Sequence, residues 1–146
     1  MGKTAYSGPV FGSYSLLWTA SQEAAIVSTA ASTIANLTVP AGQDWYITDV
    51  MASRESTAST ALVVELLDDS TSIATVAITS SLADASGSTH LTPDAGEYQG
   101  VQVAAGSVLS LVITGANSSA AALASSGVKA WVYGFPRWIP STTYTE

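Results

Sequence analysis

The 146-residue chain contains no cysteine, which rules out disulfides, thiolate metal sites and a thiol nucleophile. Charge is nearly as scarce: 10% of residues are charged, against about 25% in an average soluble domain. Only four are basic against eleven acidic, giving a net charge of −7. Nucleic-acid phosphates and anionic membrane surfaces both call for a Lys/Arg footprint, so neither is expected as a partner. Long hydrophobic runs are missing too. Runs such as Ala120 to Ala124 fall far below the ~20 residues that span a bilayer. Met1 to Val10 carries one Lys with no apolar run behind it, unlike a secretory signal. The expectation is a soluble protein made in the cytoplasm.

Histidine occurs once, at His90. Ser88 and Asp94 lie nearby, but a triad needs a shaped nucleophile and an oxyanion hole, and no G-x-S-x-G element occurs. Metal-dependent chemistry of the cupin kind needs several histidines. There is no Walker sequence, no G-x-G-x-x-G and no inward carboxylate pair. No catalytic, metal or cofactor-binding residues are expected, no cofactor and no enzyme activity, and His90 reads as a loop residue. Asp68-Asp69 invites thought of Ca²⁺, but that ion wants about six to eight oxygens from several segments, and two adjacent aspartates more often make a turn. The sequons at Asn36 and Asn117 read as chance without a secretion signal.

What the chain has in quantity is Ala, Ser, Thr and β-branched residues arranged as strands. Val101 to Thr114 runs through an Ala105-Gly106 turn into a strand with Leu109, Leu111 and Ile113 on one face. The same phrase occurs earlier, where Leu37-Thr38-Val39-Pro40-Ala41-Gly42 leads into Trp45 to Ser53. Glycine permits the positive φ such corners use, and Pro40 sets the entry of the first. Two such corners fit the internal pseudo-symmetry of a jelly roll, with chance recurrence of a common turn as the alternative. Strict alternation along Trp45 to Ser53 would bury Asp49 beside Ile47; a bulge at Thr48-Asp49 turns Val50 inward instead and frees the carboxylate. Ala61 to Leu67 and Ser72 to Thr79 form a hairpin about Asp68 to Thr71, with Leu62, Val64, Leu66, Ala74, Val76 and Ile78 inward. Glu23 to Ser28 and Thr33 to Val39 read as short strands, although Ala24 to Ala31 has a helical alternative. Arg54 to Ser59 and Ser80 to Gly100 read as polar loops, the latter with a short strand at Thr89 to Thr92. Gly115 to Gly127 reads as small and flexible.

Val128 to Phe135 is apolar on both faces: Val128, Ala130 and Val132 on one, Trp131, Tyr133 and Phe135 on the other. An antiparallel strand with a wet face should alternate with polar residues, so an arm or a second subunit should cover it. Both ends of the chain are rich in aromatics and in helix-breaking Gly or Pro. The reading is therefore an all-β fold, an antiparallel, jelly-roll-like β-sandwich over 21–135, with extended arms at 1–20 and 136–146. Contacts with a second subunit or another partner are expected at Tyr6, Phe11, Tyr14, Trp18, Trp131, Tyr133, Phe135 and Trp138.

The opening Met1-Gly2-Lys3-Thr4-Ala5-Tyr6-Ser7-Gly8-Pro9-Val10, the Val39-Pro40-Ala41-Gly42…Trp45-Tyr46-Ile47-Thr48-Asp49-Val50 corner and its second copy resemble small head-decoration (cement) proteins of tailed bacteriophages. The resemblance implies a non-enzymatic virion protein that trimerises on the outer capsid surface and contacts the major capsid protein. It carries no catalytic residues with it. Scarce charge makes the docking weakly salt-dependent, and many copies turn modest contacts into avidity. A receptor- or glycan-binding module of a phage tail or appendage is the alternative, with Trp18, Trp131, Trp138 and Tyr133 as stacking candidates.

Overall fold

The computed structural model describes residues 10–22, 32–54, 62–78, 85–92, 100–115 and 128–139. Tyr6, the 23–28 strand, the 116–127 loop, Asn117 and most of the 80–100 loop, Asp94 included, lie outside them. The described chain is all strand and turn: β1 (Val10–Phe11), β2 (Ser15–Gln22), β3 (Ser32–Thr38), β4 (Gln43–Arg54), β5 (Leu62–Asp68), β6 (Thr71–Ile78), β7 (Ser86–His90), β8 (Val101–Val103), β9 (Val108–Gly115) and β10 (Val128–Trp138). Every pairing is antiparallel.

In the first sheet, β1 and β2 pair successive parts of β10, β10 pairs β4, and β4 carries both β7 and β8 on its other side. The second sheet runs β3-β9-β5-β6. With β1/β2 and β7/β8 each counted as one interrupted strand, the first sheet orders the first, eighth, third and sixth strands. The second orders the second, seventh, fourth and fifth. Two four-stranded layers wound in this order are a jelly roll.

The core lies between the layers and follows the period-2 pattern of the sequence. Leu62, Val64 and Leu66 of β5, Val76 and Ile78 of β6, and Leu109, Leu111 and Ile113 of β9 meet Ile47, Val50, Ala52, Val128, Ala130 and Val132 from the first sheet. The β5–β6 hairpin turns through Asp69 (φ 53°) and Ser70. Its Asp69 side chain reaches across to β9, where Oδ1 accepts the Val108 N–H at 3.0 Å. That bond makes Asp69 part of the hairpin turn.

Both Ala-Gly corners carry the chain from one sheet to the other, and both glycines take positive φ, 84° at Gly42 and 85° at Gly106. The corners are bonded to each other. Val39 N–H donates to Ser107 O at 2.9 Å, and Gly106 N–H donates to Val39 O at 3.0 Å. Asp44, buried beside them, accepts the Ala105 N–H on Oδ1 (2.9 Å) and the Gln102 amide on Oδ2 (3.1 Å). A hydrogen bond to a charged group contributes about 1.5–3 kcal/mol. Asp44→Ala is therefore expected to cost about 2 kcal/mol in urea unfolding and Asp44→Asn less, because the amide keeps one acceptor.

Four parts of the chain differ from the sequence reading. Residues 15–20, expected in the N-terminal arm, belong to β2, which extends the first sheet along β10. Pro136 to Trp138, expected in the C-terminal arm, continue β10, and its Arg137 and Trp138 pair with Phe11 and Val10. Extended backbone with unpaired N–H and C=O groups is most readily satisfied at a sheet edge, and here parts of the two expected arms pair with each other. Arg54, expected to open a polar loop, ends β4 with its side chain fully buried and its N–H on Ala85 O. The strand expected at Thr89 to Thr92 is β7, Ser86–His90.

Candidate functional site

The site grows out of the irregularity in β4. Tyr133 pairs Asp49, but the next residue, Gly134, pairs Ile47, so Thr48 is the extra residue of a β-bulge. Ile47 and Val50 consequently both face the core, while Asp49 is turned to the outer face, as the bulged alternative expected. Gly134 sits opposite the bulge, where a Cβ would run into the Tyr46 carbonyl.

Residues opposed across a sheet share a face. On the outer face of the first sheet this gives one row of Leu16, Tyr133, Asp49 and His90, and a second of Thr19, Trp131, Met51 and Ser88. Tyr14, just before β2, lies back over the first row. Its ring stacks on Tyr133 (centroids 6.0 Å apart, planes at 11°) and meets Phe135 edge-on (5.6 Å, 63°). The arm thus covers part of the two-sided β10 strand, the outcome its outer aromatics called for.

Asp49 holds the polar part together. Oδ1 lies 2.9 Å from His90 Nδ1, and Oδ2 accepts the Thr48 hydroxyl at 2.8 Å and the Tyr14 hydroxyl at 3.1 Å. A carboxylate only accepts, so Nδ1 carries a proton toward Asp49, and in the uncharged tautomer Nε2 is an acceptor. Partial burial pushes the Asp49 carboxyl up, but the bonds from His90, Thr48 and Tyr14 and the charge of His90 outweigh it and hold it below the ordinary aspartate value of 3.8. Desolvation and the Asp49 carboxylate raise the Tyr14 phenol.

A carboxyl held low in the folded state adds stability that is present above the unfolded value and lost as pH falls through the folded one. Wild-type protein is thus expected to lose stability more steeply than Asp49→Asn below the ordinary value of 3.8. Melting temperatures of the two proteins, compared from neutral pH downward, should converge there. Parallel curves would show that the cluster contributes nothing to acid sensitivity.

Tyr14, Thr48, Asp49, His90, Leu91, Gly100 and Phe135 line a cleft of about 340 Å³ beside this cluster. Its chemistry is an imidazole oriented by a carboxylate, a phenol and an aromatic wall. The Asp49–His90 pair has the orienting half of a triad, but the Tyr14 and Thr48 hydroxyls both donate to Asp49 and not to Nε2.

Of the expected contact residues, Tyr14, Tyr133 and Phe135 come together here, with Trp131 one row away. Trp18 instead packs inward against the core, opposite Val132; it belongs to the sandwich, and the bulged pairing of β2 with β10 is what turns it in. Trp138 stands half exposed at the end of β10, its ring close enough to Gly12 to exclude a side chain there. Phe11 is placed through its backbone pairing with Arg137. The sequence reading missed the exposed Met51 on the outer face and the partner of His90. Asp49 and His90 are 41 residues apart. The one available signal was the bulge that frees Asp49.

The strand order and the outward cluster together define a jelly-roll β-sandwich with a small polar-aromatic cleft on one sheet. No family model matches the chain, and no curated protein matches it. Among solved structures it is similar to one of sacbrood virus of honeybee (TM-score 0.41, 8% identity, covering 91% of this chain and 74% of that chain). It is also similar to the C-terminal domain of EclA, a sugar-binding protein (TM-score 0.29, 14% identity, 94% of this chain and 81% of that one). A third is infectious bursal disease virus, Gx strain (TM-score 0.29, 14% identity), where 92% of this chain spans 43% of that one.

Proposed function

We propose that the protein is a non-enzymatic structural component of a virion. In this reading it is made in the host cytoplasm and docks as a homo-oligomer, a trimer, on the outer capsid surface of a tailed bacteriophage, against the major capsid protein. The observation that carries this reading is the outer face of the first sheet. Leu16, Met51, Trp131, Tyr133 and Phe135 occupy positions where an isolated sandwich would carry polar side chains, and Leu16 and Met51 are exposed. Contiguous apolar surface of this kind marks contact with another protein. Scarce charge suits adhesion to a preformed shell through apolar contact.

The experiment is light scattering on the purified protein followed by co-sedimentation with undecorated capsids, for wild type and a Met51→Ser/Trp131→Ser double variant. An oligomer whose capsid binding falls at least about tenfold in the variant, a loss of roughly 1.4 kcal/mol, with little change in melting, is the expected result. A monomer that binds no capsid, or a variant that binds as wild type does, would sink the proposal.

A further inference from the structure

We propose that the cleft between Tyr14 and His90 binds a neutral carbohydrate, one sugar ring at a time, through Asp49, His90 and the aromatic wall. The proposal does not depend on the virion reading.

The argument proceeds through the chemistry of the lining. None of Tyr14, Thr48, Asp49, His90, Leu91, Gly100 and Phe135 is a lysine or arginine, so a phosphate or carboxylate ligand would meet Asp49 with no fixed cation against it. A bare metal ion would find one carboxylate whose oxygens already accept from His90, Thr48 and Tyr14, far short of the coordination it needs. A purely apolar ligand would have to desolvate that carboxylate and the imidazole without replacing their hydrogen bonds. A neutral polyol avoids all three penalties. Each hydroxyl both donates and accepts: Asp49 takes a proton on the one lone pair left to it, on Oδ1, and His90 Nε2 accepts.

The rings supply the other half. Tyr14 is half exposed, with 52% of its surface open, and it is held in place by its stack on Tyr133 and its bond to Asp49. A preordered ring at the mouth of a cleft offers a flat apolar surface to the C–H face of a pyranose at little entropic cost. His90, its side chain 69% exposed, stands on the polar side of the same cleft. The volume of about 340 Å³ is at the small end of the range of about 300–1,000 Å³ for ligand clefts, which suits one ring and excludes a long chain from full burial.

The test is an amide NMR titration of the full-length protein with galactose, glucose, mannose, fucose and N-acetylglucosamine, each to ~50 mM, the range weak single-ring binding requires. Saturable shifts are expected for at least one of them, centred on Thr48 to Val50 and Thr89 to Leu91. Affinity should fall about tenfold or more in His90→Ala and in Tyr14→Ala, whereas Tyr14→Phe, which keeps the ring, should lose only about threefold. Glucuronate should bind several-fold more weakly than glucose, because its carboxylate would face Asp49. Both alanine variants are surface changes, and their melting curves verify the fold. No saturable shift with any neutral sugar, shifts unaltered in the variants, or binding of glucuronate tighter than that of glucose would overturn the proposal. No capsid enters this measurement, so its failure and that of the virion reading are separate results.

Discussion

Gly134→Ala is expected to be among the most damaging single changes in this protein, although it adds one methyl group. Gly134 faces the bulge in β4, and a Cβ built on it overlaps the Tyr46 carbonyl and crowds the Ile47 Cα. Those are backbone atoms in the central pair of the first sheet, so no rotamer change relieves the contact. Either β4 and β10 separate or the bulge is lost, and the strict alternation that remained would turn Val50 out and Asp49 in. Overpacking with no flexible neighbour to yield costs about 3 kcal/mol. For a chain of this size that is a melting point lower by about 10 °C. Asp49 and His90 should lose their register at the same time, so the amide signals of Thr89 and His90 should shift even where the protein remains folded. A variant melting within a degree or two of wild type would show that the strands have room that the geometry denies them.

Leu111→Ala is the second. Leu111 is fully buried on β9, with Ala35 opposite it on β3 and Leu66 opposite it on β5. Its neighbours sit in the middle of the second sheet and cannot collapse into the space left behind. Truncating such a leucine costs about 2–5 kcal/mol, and the upper half of that range is expected here. The informative comparison is Trp131→Ala. Trp131 is the larger side chain, yet it lies on the outer face and is only partly covered. If that face exists for a partner, its removal should cost about 1 kcal/mol or less. Urea unfolding of both variants decides the point. A Trp131→Ala loss equal to that of Leu111→Ala would mean that the outer aromatics hold the fold itself and would weaken the case for a docking surface.

Local pattern was a good guide wherever one strand's own alternation decides which way its side chains face. Leu62-Val64-Leu66 and Leu109-Leu111-Ile113 point inward as their spacing demands. The glycines at 42 and 106 take the positive φ their corners need. The Thr48 bulge followed from a conflict visible in one stretch, since Asp49 could not share a buried face with Ile47. What a single stretch does not encode is which strand lies beside which. The placement of Ser15–Gln22 on β10, the burial of Arg54 and the meeting of Asp49 with His90 all depend on that order. The same holds for Tyr14. It read as one aromatic of a loose arm, and only the neighbourhood of β10 and β7 makes it the wall of a cleft. The turn at Asp68-Asp69 was legible as a turn. That burial and the Asp69 charge raise the Asp68 carboxyl was not, because the cause is packing against other segments.

The placement of β10 between β2 and β4 also has a kinetic side. During synthesis β2 emerges among the first strands, yet its only partner among the described strands is β10, made after every other one of them. Until Val128–Trp138 leaves the ribosome, β2 and β4 both present an unsatisfied edge, and the hydrophobic inner faces of Trp18 and Ala20 have nothing to close against. The second sheet has no such delay, since β3, β5, β6 and β9 precede β10 and can pair among themselves. Pairings between sequence-distant strands are slow to form. Folding should therefore proceed from the β5–β6–β9 layer, with the first sheet zipped shut last by its C-terminal strand. The nascent chain would pass through a stage in which unprotected strand edges invite pairing with a neighbouring copy.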